Sequence, residues 1–96
     1  MTIYVAEFSS FGVDPNSGQA IMKMPPLIEQ KVAMPGASNP FSPATKAIRV
    51  NTDAVCSIVI GTGVVGATAN NMRLATNQTE YFFVNAGDQL AVVANT

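Results

Sequence analysis

Residues 58–70 read IVIGTGVVGATAN. Within them Gly61-Thr62-Gly63-Val64-Val65-Gly66 fits G-x-G-x-x-G, the spacing of a strand-to-helix turn whose backbone N–H groups meet a dinucleotide pyrophosphate. That chemistry needs a helix to open at the turn, because the helix N-terminus holds the anion. The residues that follow, ATANNMRLATNQ, are crowded with the poor helix formers Thr and Asn. They show no apolar stripe at helical spacing. The acidic residue due about twenty positions on, after a second strand, has its nearest match in Glu80, which instead precedes YFFV. A chain of 96 residues also lacks room for the other units of a doubly wound domain. The three glycines are therefore expected to form a flexible Gly/Thr loop between two strands.

Other reactive residue types are sparse. Cys56 is the single cysteine and there is no histidine, which excludes an intrachain disulfide, every His-based triad and most zinc sites. Cys56 lies in an apolar run and reads as a small core residue. Glu7 with Asp14, or Asp53 with Asp88, would be the carboxylate pairs for acid–base work. Asp53 and Asp88, however, occupy positions where turns favour Asp. Asn77-Gln78-Thr79 fits the glycosylation sequon, but no basic-then-apolar leader precedes it. No run of clustered oxygen ligands suits Ca²⁺. Lys23, Lys31, Lys46, Arg49 and Arg73 are scattered and the net charge is −1, so the counterion release that drives nucleic-acid binding has no basic patch behind it. No apolar run approaches the roughly 18–20 residues of a membrane helix. The expectation is no catalytic residue, no cofactor, no metal, no direct nucleic-acid partner and no membrane.

The elements that position these residues read as β. TIYVAEF (2–8) is rich in β-branched and aromatic residues. All six prolines then fall between residues 9 and 44, and proline neither donates to a ladder nor continues a helix. LIEQKVAM (27–34) is a possible short strand there. Met22, Met24 and Met34 flank the prolines and suit either an adaptable contact surface or the subunit's own packing. Residues 1–44 are read as an N-terminal strand followed by an extended arm or long surface loops. Residues 45–96 are read as the β-core, expected to stay folded when residues 1–20 are removed. In that core TKAIRVNT (45–52) alternates, NTD is turn chemistry and AVCSIVI (54–60) is apolar on both faces, the pair reading as a hairpin. MRLA (72–75) is a short strand. TEYFFV (79–84), NAGD and QLAVVA (89–94) read as a second hairpin. The fold class expected is all-β, a small jelly-roll-like sandwich or barrel with an extended Pro/Gly-rich N-terminal region.

Hydrophobic residues make up 48% of the chain and charged residues 11%, against about 25% charged in ordinary soluble domains. So small a domain has more apolar surface than its core needs. Homo-oligomerisation or docking on a larger assembly would cover the surplus.

Residues 46–94 also carry a series of segments: Ile48-Arg49-Val50-Asn51-Thr52-Asp53, Cys56-Ser57-Ile58-Val59-Ile60-Gly61, Arg73-Leu74-Ala75, Glu80-Tyr81-Phe82-Phe83-Val84 and Gly87-Asp88-Gln89-Leu90-Ala91-Val92-Val93. In this order they resemble small virion structural proteins of tailed bacteriophages, over about half of the chain. The resemblance implies a non-enzymatic particle component, a cement or decoration protein on the capsid exterior with the major capsid protein as partner. A head–tail connector, a tail or a head-fibre component with a receptor- or carbohydrate-binding role is the alternative. In this picture the core forms a dimer or trimer and the N-terminal arm reaches neighbouring subunits, by strand addition or by repeated weak contacts. Ile3, Val5 and Phe8 are the arm or edge candidates. Tyr81, Phe82 and Phe83 are read as a mixture of core and interface, or as core alone.

Overall fold

The computed structural model describes residues 1–9, 11–13, 20–22, 26–64 and 66–95, and for 11–13 and 20–22 the backbone only. The strands are β1 (Thr2–Phe8), β2 (Phe11–Val13), β3 (Ala20–Met22), β4 (Ile28–Ala33), β5 (Gly36–Ala37), β6 (Ala47–Thr52), β7 (Cys56–Thr62), β8 (Met72–Leu74), β9 (Thr79–Phe83) and β10 (Asp88–Ala94). There is no helix among the described residues. Two four-stranded antiparallel sheets carry the fold, in the orders β4-β1-β6-β9 and β5-β10-β7-β8, and β2 pairs with β3. The expected all-β class is the one observed.

Alternation along the strands builds the core. Ile3 and Val5 of β1, Val32 of β4, and Ile48 and Val50 of β6 turn one side of the first sheet inward. Cys56 and Ile58 of β7, Leu74 of β8, and Leu90 and Val92 of β10 face them from the second. Phe41, 2% exposed, joins this cluster from the segment between β5 and β6.

Neither expected hairpin forms. β6 bonds to β1 and β9 in one sheet, whereas β7 bonds to β10 and β8 in the other. Likewise β9 and β10 lie in different sheets. Both connections are arches that carry the chain across the core. The Thr52 hydroxyl donates to the Ala54 carbonyl and accepts from the Ala54 N–H, tightening the first arch. Asp53 is spent on β1: its N–H donates to the Thr2 carbonyl and its carboxyl accepts from the Thr2 N–H at 2.7 Å. In the second arch Gly87 takes φ 80°, and the Asp88 carboxyl accepts from the Asn85 N–H and the Thr62 hydroxyl. An arch sets the inward side chains of two successive strands against each other. A hairpin would have left them side by side on one face.

The expected arm also differs from what is found, as far as its residues are described. Residues 26–44 belong to the body. β4 runs beside β1 for its whole length, with Ile3 opposite Val32 and Glu7 opposite Ile28. Gly36 and Ala37 pair with Val92 and Ala91, so the chain has crossed to the second sheet within three residues of β4. Ser38 and Leu90 exchange bonds, the Ser38 N–H to the Leu90 carbonyl and the Leu90 N–H to the Ser38 hydroxyl. Prolines punctuate this path without preventing it, because Pro35 falls between strands. Met34 packs against the core, while Met24 and the Met22 side chain lie outside the described residues. A β-core of residues 45–96 alone is not what the structure contains either, since β1 sits between β4 and β6 and supplies Ile3 and Val5 to the interior.

Gly36 marks the tightest point of the crossing. A Cβ there would sit 2.6 Å from the Ala33 carbonyl oxygen, a backbone atom that cannot swing aside. Gly36→Ala is expected to cost about 1–3 kcal/mol, the range for overpacking a close approach. Urea denaturation should show the midpoint falling with an unchanged slope.

Candidate functional site

The outward side of the β4-β1-β6-β9 sheet is the surface most elaborated in side-chain chemistry. With Ile3 and Val5 turned inward, alternation turns Tyr4 and Ala6 outward. Register then fixes their neighbours. Tyr4 is flanked by Lys31 of β4 and Asn51 of β6, and Ala6 by Glu29 and Arg49. On β9, Tyr81 stands beside Arg49 and Thr79 beside Asn51. Ala6 is the small residue among these, so its place is a dip. A depression of about 440 Å³ lies there, walled by Tyr4, Glu29, Lys31, Arg49 and Asn51. The Lys31 ammonium lies 5.9 Å from the centre of the Tyr4 ring, close enough for a cation–π contact. The Asn51 amide donates to the Thr79 hydroxyl at 2.8 Å and so fixes one wall.

The aromatic content of this face is exposed. Tyr4 is 41% exposed, Tyr81 54% and Phe83 67%. Tyr81-Phe82-Phe83 is thus divided by strand alternation: Tyr81 and Phe83 face out, and Phe82 packs against the core. Flat rings, one amide and charges of both signs thus share this face.

Ile3 and Val5 face the core instead, whereas Phe8, two residues beyond Ala6 on the same side of β1 and opposite Ala47, is buried on the outer side. Ile3, Val5 and Phe8 are 0%, 1% and 3% exposed, and β1 has a partner on each side. The expectation that they form an arm or a free edge is overturned, because their strand is the one on which both neighbours of the first sheet are laid. Tyr4, Glu29, Lys31 and Arg49 do not stand out as a group in the sequence, where Lys31 and Arg49 count only among scattered cations. Their signal was the alternation of β1 read together with a pairing partner that lies among the prolines.

The residues considered for chemistry are held in structural bonds. Gly61 and Thr62 are the last residues of β7, Gly63 takes φ 70°, and the next strand is β8, so the glycine motif spans the end of a strand and the connection to its antiparallel neighbour. Val65 within it, and Asp14, lie outside the described residues. Cys56 is fully buried beside the Thr52 hydroxyl. Asn77 occupies a left-handed turn position, φ 63°, and its N–H donates to the Thr52 carbonyl. No group of three or more His, Cys, Asp or Glu gathers among the described residues. Comparison with protein families, with curated proteins and with solved structures finds no match.

Glu7 is the exception in kind, an acidic side chain with no exposed surface. Its Oε1 accepts from the Ser42 N–H at 2.9 Å and the Thr45 hydroxyl at 2.7 Å, and its Oε2 accepts from the Gln30 amide at 3.0 Å. The Gln30 oxygen accepts from the Asn39 N–H, which leaves only the Gln30 nitrogen to face Glu7. A glutamine at position 7 would therefore aim its own N–H₂ at a donor on one side or the other. Glu7→Gln is expected to lower stability by about 1–3 kcal/mol, the cost of stranding a buried polar group. A chemical denaturation curve beside the wild type would measure it.

Proposed function

We propose that this chain is a non-enzymatic structural protein of a tailed-bacteriophage virion, a capsid cement or decoration protein. It binds between major capsid subunits through the outer side of the β4-β1-β6-β9 sheet, on the particle exterior. The observation that carries the reading is the exposed aromatic set Tyr4, Tyr81 and Phe83 on one sheet face of a domain so poor in charge. Such rings, ringed by polar groups, are the usual anchors of protein interfaces.

Two further features support it. The segments of residues 46–94 resemble small virion structural proteins. The strand order also supports a jelly roll, an architecture shared by capsid and lectin domains. From β4 onward successive strands fall in the first, second, first, second, second, first and second sheet. That order is the one a jelly roll would give, with β1 in the place of its last strand, between β4 and β6.

A second reading is a receptor- or carbohydrate-binding tip. The depression over Ala6 favours it, since Tyr4 offers a ring face, with Glu29, Arg49 and Asn51 around it.

The test uses purified particles lacking this chain. Wild-type protein should fill them to saturation. Tyr81→Lys/Phe83→Lys, with an unchanged circular dichroism spectrum, should lose at least roughly tenfold in affinity, because a single interface aromatic is worth about 2 kcal/mol or more. Equal occupancy by both proteins would refute the docking face. Binding on a glycan array, with no particle occupancy, would establish the second reading instead.

A further inference from the structure

The outer strand of the first sheet, β4, carries IEQKVA, and no described strand pairs with its far side. Met34 donates its N–H to the Met1 carbonyl, one step beyond the Thr2–Ala33 pair. Bonding in an antiparallel ladder alternates, so Val32, Gln30 and Ile28 bond toward β1. Glu29 and Lys31 therefore direct their N–H and C=O groups away from the sheet. Their side chains share the outer face, where both line the depression beside Tyr4 and Ala6.

We infer that β4 pairs with β4 of a second copy of this chain, antiparallel about a two-fold axis at Gln30, joining the two four-stranded sheets into one of eight strands. In that register Glu29 faces Lys31 of the other copy and Lys31 faces its Glu29. Ile28 meets Val32, and the paired edge ends there because the Leu27 N–H turns to the Glu7 carbonyl. Leu27 and Ile28 are 44% and 41% exposed, so the pairing covers apolar surface as well as two rows of backbone groups with no partner among the described residues.

Charge complementarity selects the register as well as the partner. A slip of two residues in one direction sets Glu29 against Glu29, and in the other Lys31 against Lys31. Like charges directly opposite on a ladder repel, and opposite charges attract. A slip of one residue would set Gln30, held inward by Glu7, opposite the outward Glu29 or Lys31 of the other copy, whereas residues opposite one another on an antiparallel ladder share a face. One isologous arrangement satisfies all three residues, as a two-fold interface requires.

The pairing does not depend on particle docking: occupancy on capsids tests that reading, and self-association in buffer tests this one. Sedimentation velocity on the full chain should show a dimer fraction that grows with concentration. Glu29→Lys alone and Lys31→Glu alone each place like charges opposite one another twice in a dimer. Each should weaken self-association by roughly tenfold or more. Mixed one to one, these two variants regain complementarity across the pair, and heterodimers should form at the wild-type concentration. The double variant Glu29→Lys/Lys31→Glu should self-associate as the wild type does. A wild type that stays monomeric up to about 1 mM, the weak end of measurable association, overturns the inference. So does a dimer that both single variants form unchanged, which would place the contact on another surface such as β9. Failure of the mixture to recover dimer overturns it as well.

Discussion

A carboxyl group with no contact with water sets the course of the first half of the chain. Burying an acid is costly unless donors replace the water it loses. Glu7 finds three: the Gln30 amide, the Ser42 N–H and the Thr45 hydroxyl. These come from the strand on one side of β1 and from the segment that leads into the strand on the other. Gln30 is held in turn by the Asn39 N–H, one residue from the Ser38 that exchanges bonds with Leu90 in the opposite sheet. A single acidic side chain thus couples β1, β4 and the stretch from Ser38 to Thr45. With that stretch in place, Phe41 has one place to go, the interior, where its N–H and carbonyl bond the second arch at Asp88 and Gly87. No apolar residue at position 7 would specify this path, because none could tell one donor set from another.

The same geometry decides which surfaces remain for partners. Once the inward side of each strand is committed, the surplus apolar character of the composition must emerge somewhere. On the first sheet it emerges at the two rims. Tyr81 and Phe83 stand on β9, and Leu27 and Ile28 stand at the start of β4. Between the rims, Tyr4, Lys31, Glu29, Arg49 and Asn51 keep the middle polar and slightly concave. The first sheet thus carries an apolar border on each side of a polar centre, the feature on which the proposed docking rests.

Most strands were legible in the sequence, because alternation and β-branched residues mark them with no knowledge of their partners. TIYVAEF and AIRVNT are examples, and both lie where the pattern puts them. What alternation cannot express is whether two strands joined by a short turn bond to each other or stack across a core. NTD and NAGD are equally good turn chemistry for either outcome. The difference lies in the later use of Asp53, whose two bonds go to Thr2 some fifty residues upstream. Prolines misled for a related reason. Pro35 was read as the mark of an arm, whereas it bends the chain between two sheets that both retain full ladders nearby. The outer face was only half visible. Tyr81 and Phe83 drew attention as aromatics, but Tyr4 gains its setting from Lys31, a neighbour set by pairing and remote in sequence.

Placing the N-terminal strand between β4 and β6 has a consequence for the sheet's two edges. Had β1 lain outermost, its Ile3 and Val5 would have flanked an open ladder rich in β-branched residues, the combination most prone to unspecific pairing. Held centrally, β1 gives the outermost position to β4, whose outward side chains are Glu29 and Lys31. Alternating charge on an edge rejects most strands that approach it and most registers of its own copy. The inner place of β1 depends on Glu7 and its donors. The acid buried beneath the sheet and the charged pair on its rim are therefore parts of one arrangement: the first decides which strand is outermost, and the second decides what that strand will accept.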